Sequence, residues 1–237
     1  MTKIDIFSGF LGAGKTTLIK KLIEEAYQGE KLVLIENEFG EIGIDGGFLQ
    51  DAGVEITEMN SGCICCSLVG DFGQALEQVL FQYHPDRIII EPSGVGKLSD
   101  VIGAVQRLDN HDIALNAFVT VADATKCKIY MKNFGEFYNN QIEHAATIVL
   151  SRTGGMKEEK LLAAVALLRE HNANAPIITT PWEELDGKQI LEAMENKDSL
   201  KEELARLAAE QAEHDEAHHH HHHDHDHEHE HEEHEHP

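Results

Sequence analysis

Positive charge is scarce in this chain: 19 lysines and arginines stand against 43 aspartates and glutamates in 237 residues, a net charge of −24 with histidine neutral. A surface so acidic repels phosphate backbones and anionic headgroups, which argues against nucleic-acid and membrane partners. No apolar run approaches the roughly 18 residues of a membrane span, and Met1-Thr2-Lys3-Ile4-Asp5 contains no apolar signal core. Cysteine is sparse as well. Of the four present, Cys63, Cys65 and Cys66 crowd into one short stretch, too close to staple distant parts of a fold. A disulfide framework is thereby excluded, and a reducing, cytoplasmic setting is expected. There is no internal repeat.

What is present is unevenly distributed. With 41% hydrophobic residues the chain can bury one sizeable core. From Glu213 to Pro237, however, there are 10 acids, no bases and 13 of the 17 histidines; without those acids the net charge is −14. A charged helix is expected from Ser199 onward, running into this tail. The expected organisation is a folded domain over 1–207 and a His/Asp/Glu-rich metal-binding tail over 208–237, disordered without metal because it has no core to bury.

Along the domain, strand patterns alternate with helical ones. Strands are expected at Lys3–Phe7, Lys31–Ile35, Val54–Thr57, Arg87–Ile90, Ala117–Val121, Thr147–Leu150 and Ile177–Thr179. Helices are expected at Leu18–Ala26, Asp71–Gln82, Lys97–Leu108, Lys157–His171 and Leu185–Met194. Apolar strands alternating with helices predict an α/β fold: a mostly parallel sheet covered on both faces, in three layers.

Gly9-Phe10-Leu11-Gly12-Ala13-Gly14-Lys15-Thr16 fits GxxxxGK[ST] between a strand and a helix, the context this phosphate-binding loop requires. Its glycines let backbone amides at a helix N-terminus wrap a phosphate. Lys15 reaches the β- and γ-phosphates, and the Thr16 hydroxyl ligates Mg2+. A Gly-rich turn without a ligand is the bland alternative. Arg87-Ile88-Ile89-Ile90-Glu91 is an apolar strand ending in a carboxylate, which can serve the magnesium or an attacking water. The following Pro92-Ser93-Gly94-Val95-Gly96 turn suits a γ-phosphate sensor.

Gly62-Cys63-Ile64-Cys65-Cys66 offers three thiolates in one turn and leaves a fourth tetrahedral position open, which suits a metal to be handed on rather than a closed structural site. Buried structural cysteines or a redox pair are the alternatives. The acid- and glycine-rich stretch from Glu36 to Gly47, with Glu38, Glu41 and Asp45, sits where a nucleotide-sensing switch belongs, although a plain solvated acidic loop has the same composition.

Together, GFLGAGKTT, IENEFGEIGID, NSGCICCSL and IIIEPSGVG resemble the CobW family of P-loop GTPases over roughly residues 1–180. The resemblance implies a magnesium-dependent GTPase that binds zinc, or cobalt or nickel, and delivers it to a client protein. Carried over by position, it implies Gly9, Gly12, Ala13, Gly14, Lys15, Thr16 and Thr17 at the phosphates and Thr16 and Glu91 at magnesium. It implies Gly94 beside the γ-phosphate, and Cys63, Cys65 and Cys66 at the transferred metal, with Glu36 and Glu41 as switch carboxylates that can complete the metal shell. A nucleotide-dependent homodimer or a partner is implied to complete the site. Turnover is expected to be slow, since no glutamine or arginine finger is evident.

Two features depart from the family. Where it carries an NKxD-like guanine motif, this chain reads Ser151-Arg152-Thr153-Gly154; Arg152 can still stack on a base, but Gly154 lacks the carboxylate that pairs with guanine. GTP is expected over ATP on resemblance. The further C-terminal domain of many members is replaced by the tail, where His218, His219, His220, His221, His222 and His223 lead into alternating His225, His227, His229 and His231. Imidazoles interleaved with carboxylates make overlapping zinc, nickel or cobalt sites; a purification tag or a solubilising tail are the alternatives. His84, His111, His144 and His171 are expected to be surface or structural residues, Cys127 a plain helix cysteine, and Trp182 a neighbour of the base-binding loop.

The function expected is therefore a GTP-dependent metallochaperone. The rivals are a metal-storage protein acting through its tail and an ATP-using P-loop phosphotransferase.

Overall fold

The computed structural model describes residues 1–36, 55–60, 69–108 and 110–219, and for 55–60, 69–72, 75, 197, 199 and 211–219 the backbone only. Seven strands form one all-parallel sheet: β1 (Thr2–Gly9), β2 (Lys31–Glu36), β3 (Glu55–Asn60), β4 (Arg87–Glu91), β5 (Ile113–Asp123), β6 (Thr147–Ser151) and β7 (Ile177–Ile178), in the order β3-β2-β4-β1-β5-β6-β7. The helices are α1 (Lys15–Glu25), α2 (Val69–Tyr83), α3 (Leu98–Gln106), α4 (Cys127–Asn133), α5 (Gly135–Glu143), α6 (Glu158–His171), α7 (Gly187–Met194) and α8 (Lys197–His219), with a 3-10 turn at Trp182–Glu184. α1 packs against α7 on one side, while α2, α3, α5 and α6 contact one another in sequence. The expected three-layer α/β fold is what forms.

Strands β1, β2 and β4 are buried on both faces, and every second residue points to the same side of the sheet. Phe7 of β1, Leu32 and Leu34 of β2, Ile89 of β4 and Ala117, Val119 and Val121 of β5 join Leu18, Ile19, Leu22 and Ile23 of α1 and Ile190 and Met194 of α7 in one apolar cluster. At the N-terminal ends of the strands this side is polar. Asp5 and Arg87, both essentially buried, pair at 2.5 Å. Arg87 also binds Glu30 at 2.7 Å and Glu195 at 3.3 Å, and lies over the Tyr27 ring, 4.4 Å from its centroid. Asn116 donates to both Asp5 and Glu195. This network joins β1, β4, β5, the turn between α1 and β2, and the residue after α7.

Two differences from the sequence reading stand out. The run from Cys127 to Glu143, given no helix beyond Cys127 itself, forms α4 and α5; Phe134, at the break between the two helices, and Tyr138 both pack against Tyr130. The terminal helix α8 begins at Lys197, two residues before the Ser199 start expected, and runs to His219. The chain divides into the compact units Met1–Glu203 and Leu204–Pro237. No described helix is long and apolar enough to cross a membrane.

Candidate nucleotide and metal site

The loop between β1 and α1 is built from backbone that only glycine tolerates. Gly9, Gly12 and Gly14 have φ of 151°, 69° and 107°. A Cβ on Gly9 would lie 2.5 Å from the Val121 carbonyl oxygen, so β5 closes directly on the loop. Gly14 caps α1 without a side-chain hydrogen bond, leaving the first-turn amides facing outward for an anion. Lys15 is buried and donates to the Gly9 carbonyl at 2.8 Å. Phe10 is held in a cluster of Tyr130 (4.6 Å between ring centroids), Phe134 (4.8 Å) and Tyr138 (6.0 Å), all from the two helices that the sequence reading missed.

Thr16 Oγ1 donates to Glu91 Oε1 at 3.2 Å, joining the phosphate loop to the end of β4. The register then aligns Glu91 with Glu36 on β2, and Glu36 with Asn60 on β3. Glu36 and Glu91 are both buried. A hydroxyl and carboxylates are hard oxygen donors of the kind Mg2+ takes and soft-metal sites do not, so these residues fit magnesium. Gly94 lies against the loop: a Cβ there would be 2.8 Å from the Leu11 amide nitrogen. Gln141 of α5, wholly buried, donates to the Gly94 and Gly96 carbonyls at 2.9 Å each and fixes that turn. Nothing local in the sequence around Gln141 signals this role.

On the other side of the loop, Ala13, Gly14, Thr17, Ser151, Arg152, Thr153, Gly154, Pro181, Trp182 and Glu183 enclose a cavity of about 440 Å³. Trp182 does neighbour the base-side loop, its Cη2 within 3.1 Å of where a Gly14 Cβ would stand. Arg152, expected to stack on a base, is instead tied down: with φ at 57° it donates to the Gly12 carbonyl at 3.1 Å and forms an ion pair with Asp123. It staples the loop after β6 to the phosphate loop. Burial works to raise the Asp123 carboxyl, but hydrogen bonds from Thr125 and Arg152 outweigh it and hold the pKa below its ordinary value. Asp123 is a second residue the sequence reading missed.

Cys63, Cys65, Cys66 and Glu41 lie outside the described residues, as do His220, His221, His222, His223, His225, His227, His229 and His231; His218 and His219 lie on α8. Among the described residues no three His, Cys, Asp or Glu side chains converge as a metal site. His144 and His171 are structural, their Nδ1 atoms 3.0 Å from Glu203 and Glu143. Cys127 is buried at the start of α4, its thiol donating to the Asp123 carbonyl at 3.3 Å and pushed up in pKa by burial.

Comparison with known proteins agrees with this geometry. The family model of the CobW/HypB/UreG nucleotide-binding domain matches residues 3–179. The zinc chaperone YjiA of Escherichia coli (strain K12) is 31% identical over 194 residues, 77% of this chain and 58% of that protein. The zinc-regulated GTPase metalloprotein activator 1 of Schizosaccharomyces pombe is 30% identical over 193 residues, 77% of this chain and 46% of that protein. Among solved structures, the Zn(II)-bound YjiA GTPase from E. coli superposes with a TM-score of 0.56 at 25% identity, covering 76% of this chain and 57% of that one. The chain thus spans about half the length of the curated relatives it matches.

Proposed function

Because the chain belongs to the CobW/HypB/UreG family of nucleotide-binding domains, we propose that it is a GTP-hydrolysing metallochaperone. It would hold zinc, or cobalt or nickel, at the Cys63-Ile64-Cys65-Cys66 loop and pass the ion to a client protein under nucleotide control. The relatives named as zinc chaperones and as a GTPase metalloprotein activator support the reading.

The observation that carries it is the order of the strand ends. Thr16 touches Glu91, Glu91 is in register with Glu36, and Glu36 is in register with Asn60. Cys63 follows Asn60 by three residues, and the acidic switch stretch begins at Glu36 itself. The phosphate loop leaves β1 and the cysteine stretch follows β3, and the two strands between them, β4 and β2, end in the carboxylates Glu91 and Glu36.

In this mechanism Lys15 exchanges the Gly9 carbonyl for the phosphates, and the amides opening α1 take up the phosphate charge. Thr16 and Glu91 hold Mg2+, which when bound neutralises charge on the β- and γ-phosphates. Gly94, packed on Leu11, feels the presence or absence of the γ-phosphate. The Gln141 amide nitrogen fixes the Gly94–Gly96 turn, and with no arginine finger evident in the sequence turnover is expected to be slow.

The test is zinc affinity of the full chain, by competition with a chromogenic chelator, in the nucleotide-free, Mg-GDP and slowly hydrolysed Mg-GTP-analogue states. The same titrations of Cys65→Ala measure the histidine tail alone. The expected result is a cysteine-dependent site tightened tenfold or more by the GTP form, about 1.4 kcal/mol of coupling. Equal affinity in every state sinks the mechanism.

A further inference from the structure

We propose that Glu183 reads the guanine base in place of the carboxylate missing at Gly154, so that specificity comes from the 3-10 turn after β7 and not from the loop after β6. This rests on the reading of the Gly9–Thr16 loop as a nucleotide site.

The cavity beside that loop is continuous with it, since Ala13, Gly14 and Thr17 form one wall. The opposite wall offers three polar groups that the protein leaves open. Thr153 is 6% exposed, and its Oγ1 is buried without a hydrogen-bond partner. Trp182 Nε1 is likewise buried and unpartnered. Buried polar atoms are rarely left so in a folded protein, and two of them on side chains of one cavity wall mark groups that a bound ligand can engage by turning them toward it. The third group is Glu183, the one carboxylate among the lining residues, which makes no ion pair or hydrogen bond among the described residues.

Gly154 leaves room for this substitution of roles. A Cβ built there meets only the Pro181 Cβ, at 3.9 Å, so the space that an aspartate would fill is open. Arg152 does not compete for it, being held by Asp123 and the Gly12 carbonyl. The exposed Glu183 side chain has one more methylene than aspartate and starts from the facing wall.

The chemistry selects guanine. Its Watson–Crick edge carries N1–H and the exocyclic N2 amino group side by side, two donors that match the two oxygens of a carboxylate. Adenine presents a bare N1 acceptor at that place and no 2-amino group. A carboxylate there faces a lone pair, and a site built for hydrogen bonds rejects the base that cannot make them. Thr153 can donate to guanine O6, and the Trp182 indole walls the phosphate end of the cavity.

The test uses the full chain and its single tryptophan, whose emission reports occupancy of the cavity it lines, with calorimetry as an independent readout. GDP, ADP and XDP are titrated into the wild type, Glu183→Gln and Lys15→Ala. The proposal expects at least tenfold preference for GDP over ADP in the wild type. Glu183→Gln should lose tenfold or more in GDP affinity and gain for XDP, because an amide accepts from N1–H while donating to the 2-oxo group of xanthine; ADP binding should not move. Wild-type GDP binding retained in Glu183→Gln, or equal wild-type affinity for GDP and ADP, overturns the proposal and leaves the phosphate loop standing, provided Lys15→Ala abolishes binding. No binding of any of the three by the wild type overturns the nucleotide reading and this proposal with it.

Discussion

Replacing Arg87 by methionine removes the one cation at the centre of four anionic or polar groups. Asp5, fully buried, loses its 2.5 Å partner and keeps only the Tyr27 hydroxyl at 3.1 Å and the Asn116 amide at 2.7 Å. Glu30 and Glu195 lose their shared counter-ion at the same time. Stripping one partner from a buried ion pair costs about 3–5 kcal/mol, against the roughly 5–15 kcal/mol that holds a typical domain folded. Urea unfolding at pH 7 should show the midpoint falling with the slope preserved. Burial already pushes the Asp5 carboxyl up, with Arg87 pulling it down. Without Arg87 the folded-state pKa rises further above its unfolded value, so protonation favours the folded variant at low pH and that relief is lost as pH climbs through the folded pKa. The deficit of Arg87→Met should therefore shrink from pH 7 to pH 5. Adding Asp5→Asn should recover part of the loss, giving a coupling of about 2 kcal/mol in the double-mutant cycle. Nucleotide affinity of the folded variant should stay unchanged, because Asp5 lies four residues, about 13 Å, down β1 from Gly9. A single-variant loss below about 1 kcal/mol, or a several-fold change in nucleotide affinity, refutes the reasoning.

Gly94→Ala drives a methyl to within 2.8 Å of the Leu11 amide nitrogen; at about 1–3 kcal/mol for such overpacking, thermal stability should fall, and nucleotide affinity measured by calorimetry should fall about tenfold as the loop is displaced. Asp123→Asn should cost about 1.5 kcal/mol at pH 7 through its weakened hold on Thr125 and Arg152. Since the Asp123 pKa is depressed on folding, that stability is present above the ordinary carboxylate pKa and disappears as pH falls through the folded value, so the two proteins should converge on acid denaturation.

The parts of the site legible in the sequence are those whose chemistry is local. GxxxxGKT needs only its own glycines and lysine, and the apolar run Ile88-Ile89-Ile90 ends on Glu91 as a buried strand with a carboxylate must. What the sequence hides is long-range. Tyr130, Phe134 and Tyr138 read as scattered aromatics across Gly135 until Phe10, more than a hundred residues earlier, is seen to dock among them. Arg152 looks like a base-stacking cation because its positive φ, which turns it toward Gly12 and Asp123, has no signature in an Arg codon's neighbours. Gln141 and Glu183 are ordinary polar residues on helical turns; only the fold brings one to Gly94 and the other to the cavity beside Gly14.

The position of β1 also has a consequence for synthesis. It pairs on one side with β4, ending at Glu91, and on the other with β5, ending at Asp123. The first strand made is thus enclosed only once β5 has followed it, more than a hundred residues later, and the phosphate loop it carries is not closed over until the Val121 carbonyl has arrived. Cys63, Cys65 and Cys66 precede that moment by some fifty residues, roughly 3–10 s of translation. During that interval three adjacent thiols exist on the ribosome before the nucleotide site that would govern them, open to metal or oxidant on whatever terms the cell then offers.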